Sequence, residues 1–160
     1  VEIDRPDPQG GERVEFLVAA NPGQPARALR KVASGGELSR ISLAIEVAAL
    51  GLDAVPTMVF DEVDTGIGGA VAATVGRSLQ ALGRERQVLC VTHLAQVAAH
   101  ADQHLRVTKA GRGNGVATTL ERLDGAARVD ELARMLSGSE ITAKTRAHAK
   151  ELYEQHRRHA

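Results

Sequence analysis

The sequence predicts an α/β fold in which parallel strands are flanked by helices and followed by a β-hairpin. Two apolar runs, residues 55–60 and 87–92, end at polar residues and are separated by a helical segment, the order expected of neighbouring parallel strands. Further along, two alternating segments enclose a glycine-rich turn, which predicts the hairpin. The 160 residues, 43% of them apolar, suffice for one domain with its own core.

The first third of the chain predicts a connector, a strand and a helix. Residues 4–12 are rich in proline, glycine and charge, which is typical of a turn or connector. Residues 13–20 alternate as a strand does, and residues 21–25 break the chain. A helix follows Ser34 and is expected to end at Gly51. Its apolar stripe, expected to be its core face, comprises Leu38, Ile41, Ile45, Ala48 and Leu52.

The rest of the chain predicts two strands, several helices and the hairpin. After the strand at 55–60, we expect a loop, a helix, the second strand and a short helix, which are residues 66–69, 70–82, 87–92 and 94–101. The hairpin is assigned to residues 104–109 and 116–123. Two helices, 129–136 and 140–157, flank a break at Ser137 and Gly138. The face of the last helix is expected to comprise Ile141, Thr145, His148 and Leu152.

The start of the first helix has the features of an anion-binding site. Ser34 is a favourable N-cap, and Glu37 follows at the spacing of a capping box. Gly35 and Gly36 are poor helix formers, so their presence suggests that something approaches the backbone closely. Free N–H groups and the positive end of the helix dipole favour a phosphate there. An ordinary capped helix with a flexible entry remains the alternative.

Polar residues follow both predicted strands. Asp61 and Glu62 end the first, and His93 ends the second. Ligands of open α/β sheets gather at the carboxyl ends of strands, so these three side chains should lie together. One carboxylate is suited to Mg²⁺, directly or through water, and the other to deprotonating a water molecule. His93 is suited to contact a phosphate oxygen. Acids that merely cap a strand remain the alternative.

Other motifs are less favoured. Residues 66–71 resemble a dinucleotide-binding turn, but Val71 replaces a small residue and the preceding acids would repel a pyrophosphate. Ser34 follows a polar loop instead of a strand, which disfavours a hydrolase nucleophile. A scattered set of possible zinc ligands comprises His93, His100, Asp102 and His104.

Composition limits the partners and the compartment. Twenty basic and twenty acidic residues balance, so this chain has no overall charge with which to hold nucleic acid. The single Cys90 cannot form an internal disulfide, which favours a reducing compartment. No apolar run approaches the roughly 20 residues of a membrane span. We expect a cytoplasmic, nucleoid-associated protein with no membrane partner. Because no Met begins it, the chain is expected to be part of a longer protein.

Three segments together resemble a known family. They are Ser34-Gly-Gly-Glu-Leu-Ser-Arg40, residues 58–69 (MVFDEVDTGIGG) and residues 91–98 (VTHLAQVA). In order and spacing they resemble the signature motif, the Walker B segment with its D-loop, and the H-loop of ABC-type ATPases. The chain is most similar to the SMC-like ATPases of bacterial DNA repair, and the resemblance covers residues 14–153.

The resemblance implies roles for individual residues. Asp61 would hold the Mg²⁺ of ATP through water, Glu62 would be the catalytic base, and His93 the switch histidine. Asp64 lies in the D-loop and is counted among the nucleotide-binding residues, although Gly68 stands where many ABC proteins have Asp. The residues expected to contact the γ-phosphate of ATP bound to a partner head are Ser34, Gly35, Gly36 and Glu37.

One expected motif is absent from the sequence. No Walker A loop (Gly-x-x-x-x-Gly-Lys-Ser/Thr) is present. In the resembled proteins that loop lies in an N-terminal lobe beyond a coiled coil. Residues 1–160 are therefore expected to form one domain, the C-terminal lobe of a split head, with residues 1–12 as the connector from the coiled coil. The expected partners are the Walker A lobe, a second head and, through the full-length protein, DNA.

The isolated chain is expected to bind ATP weakly and to be inactive. Three alternatives remain at this stage. The chain is a dimerisation or binding module without chemistry, the head lobe of another SMC-type ATPase, or a metal-dependent hydrolase that uses the His and Asp cluster.

Overall fold

A computed structural model gives the fold over residues 2–4, 13–19, 23–31, 34–49, 55–112, 115–138 and 140–157. Strand β1 (Glu2–Asp4) pairs antiparallel with β2 (Arg13–Glu15), and β3 (Leu17–Val18) with β4 (Arg27–Ala28). A 3₁₀ turn follows at Leu29–Lys31. The single strand expected over residues 13–20 is divided at Phe16, whose carbonyl accepts a hydrogen bond from the Leu29 N–H at 2.8 Å.

The expected connector over residues 1–12 is described only at residues 2–4, where it forms β1. Residues 5–12 lie outside the described residues. β4 was not expected, because two residues are too few to show an alternating pattern in the sequence.

The central part contains a parallel strand pair between helices. Its elements, in chain order, are α1 (Gly35–Ala48), β5 (Thr57–Phe60), α2 (Gly69–Gly83), β6 (Gln87–Cys90) and the short α3 (Ala95–Ala98). β5 and β6 are parallel, with Phe60 opposite Cys90. The Val91 N–H extends the pairing by donating to the Phe60 carbonyl at 2.9 Å. The predicted strand-helix-strand order with parallel neighbours is confirmed.

A first core cluster joins α1, β5, α2 and α3. Burial of its apolar side chains is the main term that stabilises this part of the fold. The cluster comprises Leu43, Phe60, Val63, Ala72, Val75, Leu79, Leu82 and Val97. The face predicted for α1 is partly wrong: Leu38 and Ile45 are exposed, whereas Leu43 is buried and Val47 packs against the cluster. Ile41 is half-buried, and Leu52 and the expected helix end at Gly51 lie outside the described residues.

The other face of the parallel strand pair is open. Val59 on β5 is 68% exposed, and Leu89 on β6 is 46% exposed. Val91, which follows β6, is 62% exposed. Parallel sheets are normally covered on both faces. The apolar runs at residues 55–60 and 87–92 predict buried parallel strands, but this face is exposed within the part of the chain that the structure describes.

The hairpin and two helices complete the fold. β7 (His104–Arg112) pairs antiparallel with β8 (Gly115–Leu123), which confirms the predicted hairpin. Helices α4 (Gly125–Ser137) and α5 (Ala143–Arg157) follow on either side of Gly138, whose φ of +72° suits glycine. A second core cluster comprises Ala95, Ala98, Ala99, Leu132, Ala133 and Ala149.

The face predicted for α5 is partly wrong. Ala149 is buried and Leu152 packs against the second cluster, but His148 is exposed. Ile141 precedes the helix and is also exposed. Across the described residues, the helices are all too short or too polar to cross a membrane.

Arg128 ties α4 to the end of α3. Its guanidinium is buried, donates to the carbonyls of Ala98 at 3.2 Å and Asp102 at 3.3 Å, and lies over the Tyr153 ring at 5.3 Å. Burial lowers the pKa of Arg128. The carbonyls and the ring face compensate for the lost hydration of the charge. α3, which begins two residues after His93, is thereby fixed to α4 and α5.

Candidate functional site

The predicted polar residues lie at one edge of the parallel strand pair. Asp61 and Glu62 follow β5 directly, and His93 comes three residues after β6. Both acids are exposed, and the His93 side chain is 71% exposed. Because parallel strands end at the same edge, the fold brings the three side chains to one surface, as expected from the sequence.

Glu62 has an unusual backbone conformation. Its φ is +58°, the only positive value for a residue other than glycine among those described. The Asp61 carboxylate accepts a hydrogen bond from the Glu62 N–H at 2.9 Å, and the Glu62 carbonyl accepts one from the Thr65 N–H at 3.1 Å. Such a conformation costs free energy, on the order of 1–3 kcal/mol, and is typical of functional sites. The turn therefore fixes the direction of Glu62.

The start of α1 is capped as predicted. The Ser34 hydroxyl accepts a hydrogen bond from the Glu37 N–H at 3.4 Å, and the Ser34 carbonyl accepts one from the Leu38 N–H at 3.1 Å. The first N–H groups of a helix have no partner within the helix. Glu37 and Gly35 are exposed and Ser34 is partly exposed, so this end of α1 reaches the surface.

The two glycines make room for the chain's own loop. Gly36 is buried, and a Cβ atom there would lie 3.0 Å from the Thr65 Cβ and 3.1 Å from the Glu62 carbonyl oxygen. A Cβ atom on Gly35 would lie 2.5 Å from Glu62 Oε2. The interpretation that both glycines are open to an outside anion is therefore corrected for Gly36, which is covered by residues 62–65 of the same chain.

Two polar residues of α1 hold the helix against the acidic loop. The Ser39 hydroxyl donates to the Asp61 carbonyl at 2.8 Å, and Arg40 Nη1 donates to the Thr65 carbonyl at 2.8 Å. Sequence reasoning assigned neither residue a role, because polar side chains in a helix are usually solvated. The one feature of the sequence that could have indicated a role is their position within the signature-like segment, residues 34–40.

Asp64 lies inside the protein. Its side chain is 3% exposed, and Oδ2 accepts hydrogen bonds from the Thr92 hydroxyl at 2.5 Å and the His93 N–H at 2.9 Å. His93 Nδ1 is 3.1 Å from the same oxygen. Asp64 was expected among the nucleotide-binding residues. Its carboxylate contacts the loop that carries His93, and Thr92 was not singled out from the sequence.

The edge of the sheet is electronegative. Burial raises the pKa of the Cys90 thiol to about 12, and the charges of Asp64 and Asp61 act in the same direction. The exposed Asp61 carboxylate is the hard oxygen donor that Mg²⁺ prefers, and Mg²⁺ commonly takes its other ligands from water and phosphates. The residues present therefore fit a magnesium ion brought with a nucleotide.

The possible zinc ligands do not come together. Over the described part of the chain, no group of three or more His, Cys, Asp or Glu side chains is placed to hold a metal ion. His100 is buried, with Nδ1 3.5 Å from Gln80 Oε1. The metal-dependent hydrolase alternative is therefore disfavoured, because the described residues do not form the ligand set that it requires.

The fold is that of an SMC-type ATPase head. A solved structure from work on "ATP-driven dimerization and DNA stimulated activation of SMC ATPases" matches 78% of this chain and 81% of its own, with a TM-score of 0.52 and 20% sequence identity. The predicted α/β head fold is confirmed at this level.

The chain is similar over nearly its whole length to bacterial DNA repair protein RecN, which confirms the expected resemblance. The RecN of Xylella fastidiosa strain Temecula1 is 60% identical over 154 residues, which are 96% of this chain and 28% of that protein. The RecN proteins of Streptomyces coelicolor and Treponema pallidum are 52% and 50% identical, each over 92% of this chain and 26% of their own length. The chain thus spans about a quarter of these relatives. No family model matches it.

Proposed function

We propose that this chain is the C-terminal lobe of an ATP-hydrolysing head in an SMC-like protein of DNA repair, and that the complete protein acts on double-strand breaks in the cytoplasm. The observation that carries the proposal is the meeting of Asp61, Glu62 and His93 at one strand edge beside a capped helix start. Their order along the chain matches the motifs of ABC-type ATPases. The similarity to RecN supports the DNA-repair role.

The exposed groups at this edge divide the chemistry of hydrolysis. Glu62 is the general base that takes a proton from the attacking water. Asp61 would hold Mg²⁺ through water, and the bound ion would supply positive charge to neutralise the phosphates of ATP. His93 contacts the terminal phosphate. Because phosphoryl transfer is governed by positioning and electrostatics, the fixed turn at Glu62 is suited to this task.

The start of α1 serves the nucleotide of a second head. Ser34, Gly35 and Glu37 are the accessible members of the predicted phosphate-binding set. Gly36 allows α1 to approach the acidic loop, and its contribution to the phosphate is limited to its N–H. Ser39 and Arg40 bond the loop at Asp61 and Thr65. A phosphate held in trans by α1 is thereby coupled to the catalytic turn of the same chain.

The open sheet face supports a missing lobe as partner. Val59, Leu89 and Val91 are aliphatic, exposed and on the strand pair that carries the acids. The Walker A lobe, which binds the α- and β-phosphates, would cover them and complete the sheet. The Xylella relative is matched over only 28% of its length, which leaves ample length in that protein for such a lobe. Without it, this chain binds ATP weakly and does not turn it over.

The substitution Glu62→Gln in the complete protein tests the proposal. We expect it to retain ATP binding and ATP-dependent head dimerisation, because glutamine preserves the shape, and to lower kcat by at least about 100-fold, because the amide cannot accept the proton. Turnover and nucleotide binding are measured in parallel on purified protein.

Glu85→Gln is the matched control. Glu85 is also exposed but lies between α2 and the amino end of β6, at the opposite end from the acids, so its amide should leave turnover unchanged. Normal turnover in Glu62→Gln would remove Glu62 from the role of base and with it the proposed division of chemistry.

A second candidate function is a dimerisation or binding module without chemistry. The open apolar face favours it as well, since such a face fits any covering partner. Mixing this chain with the separately produced Walker A lobe distinguishes the two. ATPase activity that appears only in the mixture supports the head lobe, and a stable but inactive complex supports the module.

A further inference from the structure

Asp64 is a buried carboxylate that the chemistry described above does not use. It is 3% exposed and lies in the turn that follows β5, two residues beyond Glu62. The turn is closed by the Ile67 N–H, which donates to the Asp64 carbonyl at 3.4 Å. A buried charge is costly unless it is hydrogen-bonded. The partners of Asp64 therefore indicate why it is inside.

All the hydrogen bonds that the structure gives this carboxylate come from the His93 loop. Oδ2 accepts from the Thr92 hydroxyl at 2.5 Å and from the His93 N–H at 2.9 Å, and His93 Nδ1 lies 3.1 Å from it. The Thr92 hydroxyl in turn accepts from the Leu94 N–H at 3.1 Å. One oxygen thus ties the His93 backbone to the turn that carries Glu62 and faces the His93 ring at 3.1 Å.

The short distance between Asp64 Oδ2 and His93 Nδ1, 3.1 Å, favours one tautomer of the ring. A carboxylate accepts hydrogen bonds and donates none, so it stabilises a proton on the ring nitrogen that faces it. In the neutral imidazole, Nε2 is then the nitrogen without a proton. Since 71% of the His93 side chain is exposed, the ring remains accessible to a ligand. Carboxylates that bond one nitrogen of a catalytic histidine fix orientation and tautomer in this way in other enzymes.

We propose that Asp64 is a positioning residue, which acts through His93 and does not touch the nucleotide. It holds Nδ1–H and the His93 backbone against the catalytic turn, so that Nε2 meets the terminal phosphate at a fixed distance from Glu62. This inference rests on the proposed function, because the role of His93 in hydrolysis does.

The contact itself is tested without nucleotide. In complete protein with ¹⁵N-labelled histidine, the ring signals of His93 are identified by their loss in His93→Gln. We expect the neutral ring to carry its proton on Nδ1. In Asp64→Ala the proton should move to Nε2, whereas Asp64→Asn, whose amide oxygen can still accept, should keep the Nδ1–H form. A wild-type ring protonated on Nε2 would overturn the proposal even if every variant failed to fold.

Kinetics separate positioning from a merely structural role. We expect Asp64→Ala to lower kcat by about 10- to 100-fold with little change in the KM for ATP, and Asp64→Asn to recover part of it. In a His93→Gln background, Asp64→Ala should cause less than about a twofold further loss, because residues that act as one unit are not additive. Equal losses in both backgrounds would show that Asp64 acts independently of His93.

Thr92→Val is the matched control, because it removes a hydrogen bond to the same oxygen but leaves the His93 ring contact. It should keep the Nδ1–H form, with kcat within about threefold of wild type. A tautomer change in Thr92→Val would assign the ring's orientation to the loop instead of Asp64. Failure of the proposed function, seen as normal turnover in Glu62→Gln, leaves the tautomer result unaffected, so the two failures are distinguishable.

Discussion

Neighbouring glycines at the start of α1 differ in what a side chain would meet, which gives a prediction at the scale of single residues. Gly35→Ala displaces only the end of the flexible Glu62 side chain, so it should leave stability unchanged or raise it by up to about 1 kcal/mol. Gly36→Ala meets the Thr65 Cβ and the Glu62 backbone, so it should destabilise by about 1–3 kcal/mol. Urea unfolding of the complete protein, followed by circular dichroism, measures both.

The same pair should differ little in catalysis. Both substitutions disturb Glu62, one through its side chain and the other through its backbone, so both should lower ATP turnover. Gly83→Ala at the end of α2 is the control, because a Cβ atom there meets nothing within 4 Å. If Gly36→Ala proves as stable as Gly35→Ala, the approach of α1 to the loop is not tight in solution.

Sequence reasoning identified exposed residues of the site better than buried ones. The N-cap at Ser34 and the strand-end placement of Asp61 and Glu62 follow from local rules on helix starts and strand ends. The contact of Asp64 with the His93 loop was not foreseen, because the two residues lie 29 positions apart in the chain. Such contacts exist only once two strands have paired, and no local pattern encodes them.

At the scale of elements, the hairpin is fastened to α4 by a charged cluster, which should make stability fall in acid. Burial lowers the pKa of His104, with the Arg128 charge acting in the same direction. A lowered pKa means that the unfolded chain binds more protons, so stability should fall as pH drops below 6.5. Glu131 is hydrogen-bonded by Arg134, which lowers its pKa, and its contribution should be lost as pH drops below 4.5.

Single substitutions separate the contributions of His104 and Glu131 to the loss of stability in acid. His104→Gln should flatten the dependence of stability between pH 7 and 5. Glu131→Gln should destabilise by about 1–3 kcal/mol at neutral pH, because it leaves Arg106 and Arg134 without their shared carboxylate, and should flatten the lower range. Urea midpoints across pH measure both. His148→Gln, on the exposed side of α5, should leave the curve unchanged. An unchanged curve in His104→Gln would contradict the assignment.

Strands, helices and turns that depend on a local sequence pattern were predictable. The face that a helix turns to the core was not. The parallel pair, α2 and the hairpin follow from apolar runs, alternation and turn residues. The face of α1 was mistaken because the helix has apolar residues on two sides, and hydrophobic periodicity cannot say which side meets the core. The orientation of α1 is set by Gly36 and Arg40, which contact residues 62–65. These contacts turn Leu43 towards the first core cluster.

At the scale of the whole molecule, two cores meet at α3. Val97 belongs to the cluster around the strand pair, whereas Ala95 and Ala98 belong to the cluster with α4 and α5. Arg128 strengthens the junction through the carbonyls at the end of α3. His93 is thus held from both sides, by Asp64 in the first half and by α3 in the second. One apolar face of the β5–β6 strand pair stays exposed even with both cores in place, among the residues that the structure describes.

That open face gives the last prediction, on assembly with the Walker A lobe. Val59→Ser and Val91→Ser should barely affect this chain's own stability, because both side chains are mostly exposed in it. Covered by the second lobe, each valine would contribute about 1.5–3 kcal/mol, so each substitution should weaken lobe association by about 10- to 100-fold. Calorimetric titration of the separately produced lobes measures this, and ATPase activity of the mixture should fall with occupancy. Val71→Ser is the control, since Val71 is 53% exposed but lies on α2, away from the sheet face. Association unchanged by Val59→Ser and Val91→Ser would mean that the second lobe covers another surface, because a buried valine cannot be made polar without loss of binding free energy.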